Sequence, residues 1–248
     1  MHNLGQTRSS QQLNHLLLTV DTFVRTPLPG MKKCAAVIHA GPAMGAKFTQ
    51  YTAEFEPGGE LGGTPAQRFA FVMAGAVRLE AEGKQHELGV GGFAYLPDGL
   101  PHRVVASKAS RLAVIEKTYQ TLDSFNPPRL IVSSEDAVSS HPLGDDPDLQ
   151  VKCLLPDEMS FDFAVNTMTY QPGAALSMVE MHVMEHGLIM LEGGGIYRLG
   201  DCWYPVTTGD FIWMGPWCPQ WFGALGKTPA KYLIYKDWNR HPLAHSQP

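Results

Sequence analysis

The chain has 248 residues, 44% of them hydrophobic, with 19 Lys and Arg against 24 Asp and Glu, a formal net charge of −5. This length gives one large or two ordinary domains and a sizeable core. The mild charge, without a basic face or charge run, excludes nucleic-acid and membrane-lipid partners. Four cysteines (Cys34, Cys153, Cys202, Cys218) lie far apart with no CxxC pair, which excludes a disulfide framework or zinc knuckle and predicts a reducing compartment.

Residues 1–45 read as a leader with one or two extended segments, broken at Pro27, Pro29 and Gly30. Its polar start lacks a signal-peptide pattern, and Leu16–Val20 is too short to span a bilayer, so a soluble, cytoplasmic protein is expected. Cys34–His39 is a candidate strand. From Phe48 the pattern turns period-two, with Tyr51, Ala53 and Phe55 alternating with polar residues, as in a half-buried strand. A turn at Gly58 and Gly59 follows. Phe69–Met73, Val77–Glu80, Phe93–Leu96 and Val114–Tyr119 are further short apolar segments, spaced as in antiparallel barrels and sandwiches. Thr121–Leu149 carries Pro127, Pro128, Pro142 and Pro147 and reads as the inter-domain connection, although Arg129–Ser133 can still pair. Then come Ala164–Tyr170, Met178–Val183, Leu188–Leu191, Gly195–Leu199, Trp203–Val206, Phe211–Met214 and Tyr232–Tyr235. Helix candidates are confined to the leader and to Pro156–Phe161.

One run occurs twice. Gly91–His102 (GGFAYLPDGLPH) is echoed by Gly209–Gln220 (GDFIWMGPWCPQ), 118 residues later, and Gly75 and Gly193 stand at the same offset. The chain is therefore expected to be all-β, two tandem antiparallel β-barrels with few short helices, divided as residues 1–125 and 126–248. Differences between the copies locate the chemistry. The second copy holds Glu180, His182 and His186, and ends its repeat at Gln220. Glu180 and His182, two apart, would project from one face of a strand, with Gln220 facing them from a hairpin return. Oxygen and imidazole donors without thiolate suit Mn²⁺, Fe²⁺, Ni²⁺ or Zn²⁺ at a site with open positions, Mn²⁺ tolerating the carboxylate and amide oxygens best. The same positions in the first copy are Gly62, Thr64, Arg68 and His102. One potential ligand remains, so the first barrel is expected to be metal-free and structural, with His102 an ordinary hydrogen-bonded histidine. Glu185 is expected on the opposite strand face from the ligands.

The paired motifs resemble the cupin superfamily, and two in tandem a bicupin of jelly-roll domains. The ligand order Glu, His, His, Gln, with Glu180–Gly195 (EMHVMEHGLIMLEGGG), Gly209–Gly215 (GDFIWMG) and Tyr232–Arg240 (YLIYKDWNR), resembles the (S)-ureidoglycine aminohydrolase family. The resemblance implies a manganese hydrolase of purine catabolism, acting after allantoate, that releases ammonia from (S)-ureidoglycine to give (S)-ureidoglycolate. Carried over by position, it implies metal ligands Glu180, His182, His186 and Gln220, and substrate contacts or catalytic roles for Tyr197, Tyr232 and Lys236, with Glu180 and Gln220 also facing substrate. Lys236 suits a carboxylate anchor. Substrate could lose ammonia to an imine that water then attacks, or be displaced directly by hydroxide. A homo-oligomer is expected from open sheet edges. Two other classes remain open: a bicupin dioxygenase or isomerase, and a non-catalytic small-ligand-binding cupin.

Overall fold

The structure is a computed structural model and describes residues 5–240. Its chain forms two units, each almost wholly antiparallel β. Among the described residues there is no α-helix, only three short 3-10 turns at Val20–Thr22, Pro42–Met44 and Glu135–Ala137. None is long or apolar enough to cross a membrane. The helix expected near Pro156–Phe161 is absent.

The first unit to close along the chain runs from Val24 to Val138, with Glu158–Ser160 added. Its spine is the 14-residue strand Thr49–Gly62, which pairs along its first half with Ser110–Lys117 and along its second with His102–Ala106. Period-two alternation along it sends Tyr51, Ala53 and Phe55 into a core shared with Val72, Leu79, Leu96, Val104 and Val114. Ile131–Ser134 pairs with Gly92–Leu96, so the proline-containing connection contributes a strand to this unit.

The second unit contains, among the described residues, Ser139–Asp157, residues 161–240 and residues 5–23 of the leader. One sheet runs, in spatial order, Ser10–Gln11, His15–Leu18, Phe211–Met214, His186–Glu192, Ala230–Asp237, Phe163–Tyr170, Asp146–Cys153 and His141–Leu143. A second sheet of Cys202–Thr207, Gly194–Leu199 and Gln220–Ala224 faces the same core.

The division differs from 1–125 and 126–248 in three places, one being the crossing of Glu158–Ser160 into the first unit; residues 1–4 and 241–248 of those ranges lie outside the described residues. The boundary falls at Val138 and Ser139 rather than at 125. The leader joins the C-terminal unit, because Leu17 pairs with Ile212 and is fully buried beside it. Arg8 fixes this edge with a two-pronged bond to buried Asp210, at 2.6 and 3.1 Å. The repeat glycines have a steric cause. Gly75 and Gly193 both adopt left-handed backbone, φ +82° and +65°. A Cβ there would lie 2.5 Å from the carbonyl oxygens of Ala109 and Pro229 respectively, so each barrel needs glycine where this turn meets the start of the strand Ser110–Lys117 or Ala230–Asp237.

Candidate active site

The seven residues singled out above, Glu180, His182, His186, Tyr197, Gln220, Tyr232 and Lys236, line one cavity of about 160 Å³ in the C-terminal unit. The rest of its wall is apolar, from Leu143, Met168, Leu176 and Ile234. His186 opens its strand directly opposite Lys236, so both point inward. Tyr232 lies four residues before Lys236 on the same face. Tyr197 comes from the other sheet, paired with Phe222, and Gln220 begins the neighbouring strand.

Glu180 and His182 are not on a regular strand, and the expected strand Met178–Val183 does not form. Between Tyr170 and His186 the chain makes only isolated bridges, Ala175 with Gly223 and Glu180 with Gln220. A turn at Pro172 and Gly173 (φ +87°) starts this irregular path. Backbone bonds still hold both ligand candidates. Glu180 and Gln220 exchange N–H to carbonyl bonds of 2.9 Å in both directions, and Trp217 N–H donates to the His182 carbonyl at 2.7 Å. Leaving the ladder frees the two side chains from strand alternation.

The donor atoms have defined states. His186 Nδ1–H donates to the Glu185 carbonyl at 2.7 Å, leaving a lone pair on Nε2. Burial pushes its pKa down to about 3, with Lys236 and His182 acting in the same direction, so the ring is neutral at physiological pH. His182 Nε2 stands 3.1 Å from Glu180 Oε2, and the two imidazole rings are 5.0 Å apart. Gln220 Oε1 is buried and has no hydrogen-bond partner among the described residues. Buried acceptors rarely remain so unless something else completes the site. Lys236 forms no ion pair among the described residues; burial lowers its pKa, opposed by the Glu180 charge. Burial raises the pKa values of Tyr197 and Tyr232, keeping both protonated.

This donor set fits a divalent ion of oxygen and nitrogen preference. It is not a finished cage: among the described residues no three His, Cys, Asp or Glu side chains stand together at metal-holding spacing. His182 is turned onto Glu180, and the fourth donor is an amide. Glu185, expected on the opposite face of a strand, instead precedes the strand His186–Glu192 and does not line the cavity; its carboxylate accepts from Trp213 Nε1 at 2.9 Å.

The equivalent place in the N-terminal unit is filled by its own side chains. Arg68, the counterpart of His186, is opposite Glu116, as His186 is opposite Lys236. Its guanidinium donates to Glu116 Oε1 from Nε at 2.9 Å. From one terminal nitrogen it reaches the Gly62 carbonyl at 2.7 Å and His102 Nε2 at 2.6 Å. Gly62 and His102 are the positions matching Glu180 and Gln220, so a fixed guanidinium stands where the other barrel's donors converge. His102 Nδ1–H donates to the Leu100 carbonyl, and burial lowers its pKa.

The sequence reading missed the apolar wall and Tyr170. Leu143 lies in the proline-containing stretch expected to connect the domains, part of which forms the hairpin His141–Leu143 with Asp146–Cys153. Tyr170 bonds to the Tyr232 hydroxyl at 2.7 Å; its inward phase with Met168 was the available signal.

Known proteins add a separate line of observation. Residues 166–235 match a cupin domain model and residues 43–119 an EutQ-like cupin domain model. The chain is 42% identical to the probable (S)-ureidoglycine aminohydrolase of Oryza sativa subsp. japonica, over 96% of this chain and 78% of that one. It is 41% identical to the (S)-ureidoglycine aminohydrolase of Arabidopsis thaliana, over 96% and 80%. The crystal structure of the putative glyoxylate-induced protein from Pseudomonas aeruginosa superposes with a TM-score of 0.88 at 30% identity, covering 97% of this chain and 94% of that one.

Proposed function

The chain belongs to the (S)-ureidoglycine aminohydrolase family of two-barrel cupin hydrolases, and from that premise we propose that it releases ammonia from (S)-ureidoglycine and yields (S)-ureidoglycolate. The observation that carries the reading is the convergence of four metal-type donors, two tyrosine hydroxyls and a lysine with no ion pair among the described residues on one small cavity. At about 160 Å³ it is well below the roughly 300–1,000 Å³ of drug-sized ligand sites, and suits a compact amino acid.

Glu180, His182, His186 and Gln220 would hold a divalent ion, with manganese the choice the donor set and family favour. When bound, such an ion supplies a Lewis acid and lowers the pKa of coordinated water. The chain's own groups bind and orient. Lys236 meets the substrate carboxylate as a point charge. Tyr197 and Tyr232, held protonated by burial, donate to carboxylate or ureido oxygens. The apolar wall of Leu143, Met168, Leu176 and Ile234 limits bulk water and presents one face of the substrate carbon. Water replaces the amine, so one hydroxyl and one ammonia account for all atoms.

The reading extends to a cytoplasmic, homo-oligomeric enzyme of purine catabolism acting after allantoate; four free cysteines support a reducing compartment. The test adds manganese-loaded protein to freshly generated (S)-ureidoglycine and follows ammonia and product chirality. Ammonia release with the S product is expected, and Gln220→Leu should lose bound metal. Oxygen uptake without ammonia would assign the site to an oxidative bicupin instead.

A further inference from the structure

Behind Tyr232 stands a second buried hydroxyl that does not reach the cavity. Tyr170 ends the strand Phe163–Tyr170 and faces Ala230 across the ladder. With only a methyl group opposite, its ring has room to extend diagonally toward Tyr232, two residues along. The two rings lie 5.5 Å apart, tilted by 39°. Phe222 packs edge-on against both, 4.9 Å from Tyr170 and 5.7 Å from Tyr232. The hydroxyl oxygens are 2.7 Å apart, so one proton lies between them.

We infer that Tyr170 is a positioning residue: it donates that proton to Tyr232 and so turns the Tyr232 proton into the cavity. Tyr170 is fully buried, and its hydroxyl has no other partner among the described residues. A buried hydroxyl proton needs an acceptor, and the Tyr232 oxygen is the one within reach. Each hydroxyl carries one proton and two lone pairs. Tyr232 accepts from Tyr170 with a lone pair and keeps its own proton for whatever occupies the cavity. The opposite direction would strand the Tyr170 proton in an apolar core. Tyr232 is therefore preset as a donor toward a substrate oxygen. Tyr197, whose hydroxyl has no such partner among the described residues, carries no preset direction. The nature of that oxygen rests on the ureidoglycine reading; the proton direction rests on the geometry alone.

The test uses metal-loaded, full-length Tyr170→Phe, Tyr232→Phe and the double variant. Tyr170→Phe removes one oxygen and keeps the ring. It should raise KM for (S)-ureidoglycine roughly three- to tenfold, the worth of one hydrogen bond, with kcat little changed. In the Tyr232→Phe background the same substitution should change KM no further, because the effect passes through Tyr232. Thermal unfolding reads the proton direction without substrate. Tyr232→Phe strands the Tyr170 proton and should lower Tm about 2–4 °C more than Tyr170→Phe does. The double variant should recover part of that loss. Equal destabilisation by the two single changes, or a KM effect of Tyr170→Phe that persists without Tyr232, overturns the inference. If the wild type does not turn over ureidoglycine while the Tm order holds, the substrate reading fails and the proton direction stands.

Discussion

Replacing Lys236 by methionine separates a functional lysine from a structural one, because the two roles predict opposite signs of stability change. The side chain sits opposite His186 on the inner face, lines the cavity and forms no ion pair among the described residues. Burial lowers its pKa, which means the folded protein holds the ammonium at a cost. Methionine keeps most of the volume and removes the charge. The fold should gain: relief of about 1 kcal/mol raises the apparent Tm by about 2–4 °C for a chain of this size. Substrate capture should lose a charge-assisted hydrogen bond to the carboxylate, about 1.5–3 kcal/mol. That is about 10- to 150-fold in KM, with bound metal per chain unchanged. The assays are ammonia release against substrate concentration, metal content and a thermal melt. An unchanged KM with a lowered Tm would refute the reasoning and make Lys236 a packing residue.

Arg68→Met removes the guanidinium that pairs Glu116 and His102 in the N-terminal unit. It leaves a carboxylate whose one remaining side-chain donor among the described residues is Tyr51 and should cost about 3–5 kcal/mol in urea unfolding, with metal per chain unaltered. Gly193→Ala forces φ +65° on a residue with a Cβ and should cost about 1–3 kcal/mol in the same assay. Stability should also fall on mild acidification. His39 is pushed down to about 3 by burial, from 6.5, so between these values the unfolded chain binds the extra proton and stability rises with pH. From pH 7 to pH 5 the loss should be about 2 kcal/mol for this group. Unfolding measured across that range in wild type and His39→Gln checks it, the variant showing the shallower slope.

The fold was legible because its signals are local and repeated. Alternation at Tyr51, Ala53 and Phe55 marks a strand without reference to anything distant, and the glycine pair 118 residues apart reports a turn that tolerates no Cβ in either barrel. Of the site, strand phase alone gave the shared face of Tyr232 and Lys236; their roles, and those of His186 and Tyr197, came from the family resemblance. Other features depend on contacts that phase cannot report. The leader pairs with a strand almost two hundred residues away. Glu180 and His182 leave the ladder, so their shared aim comes from bridges to Gln220 and Trp217. Tyr170 acquires its role only because Ala230 opposite it is small.

The contrast between the barrels is one of unmet valence. On matching strand pairs, one barrel sets Arg68 against Glu116 and the other sets His186 against Lys236. In the first, the cation is covalently part of the chain, and it meets a carboxylate, a carbonyl and an imidazole lone pair within 2.6–2.9 Å. Little remains there for a ligand to satisfy. In the second, an imidazole lone pair, an amide oxygen and an ammonium face a cavity without a hydrogen-bond or ion-pair partner among the described residues. Burial makes each of those groups costly on its own, so the C-terminal barrel gives up stability that the N-terminal barrel keeps. A ligand carrying both a cation for the donors and an anion for the lysine would restore the balance, and a metal ion with a small amino acid has those two charges.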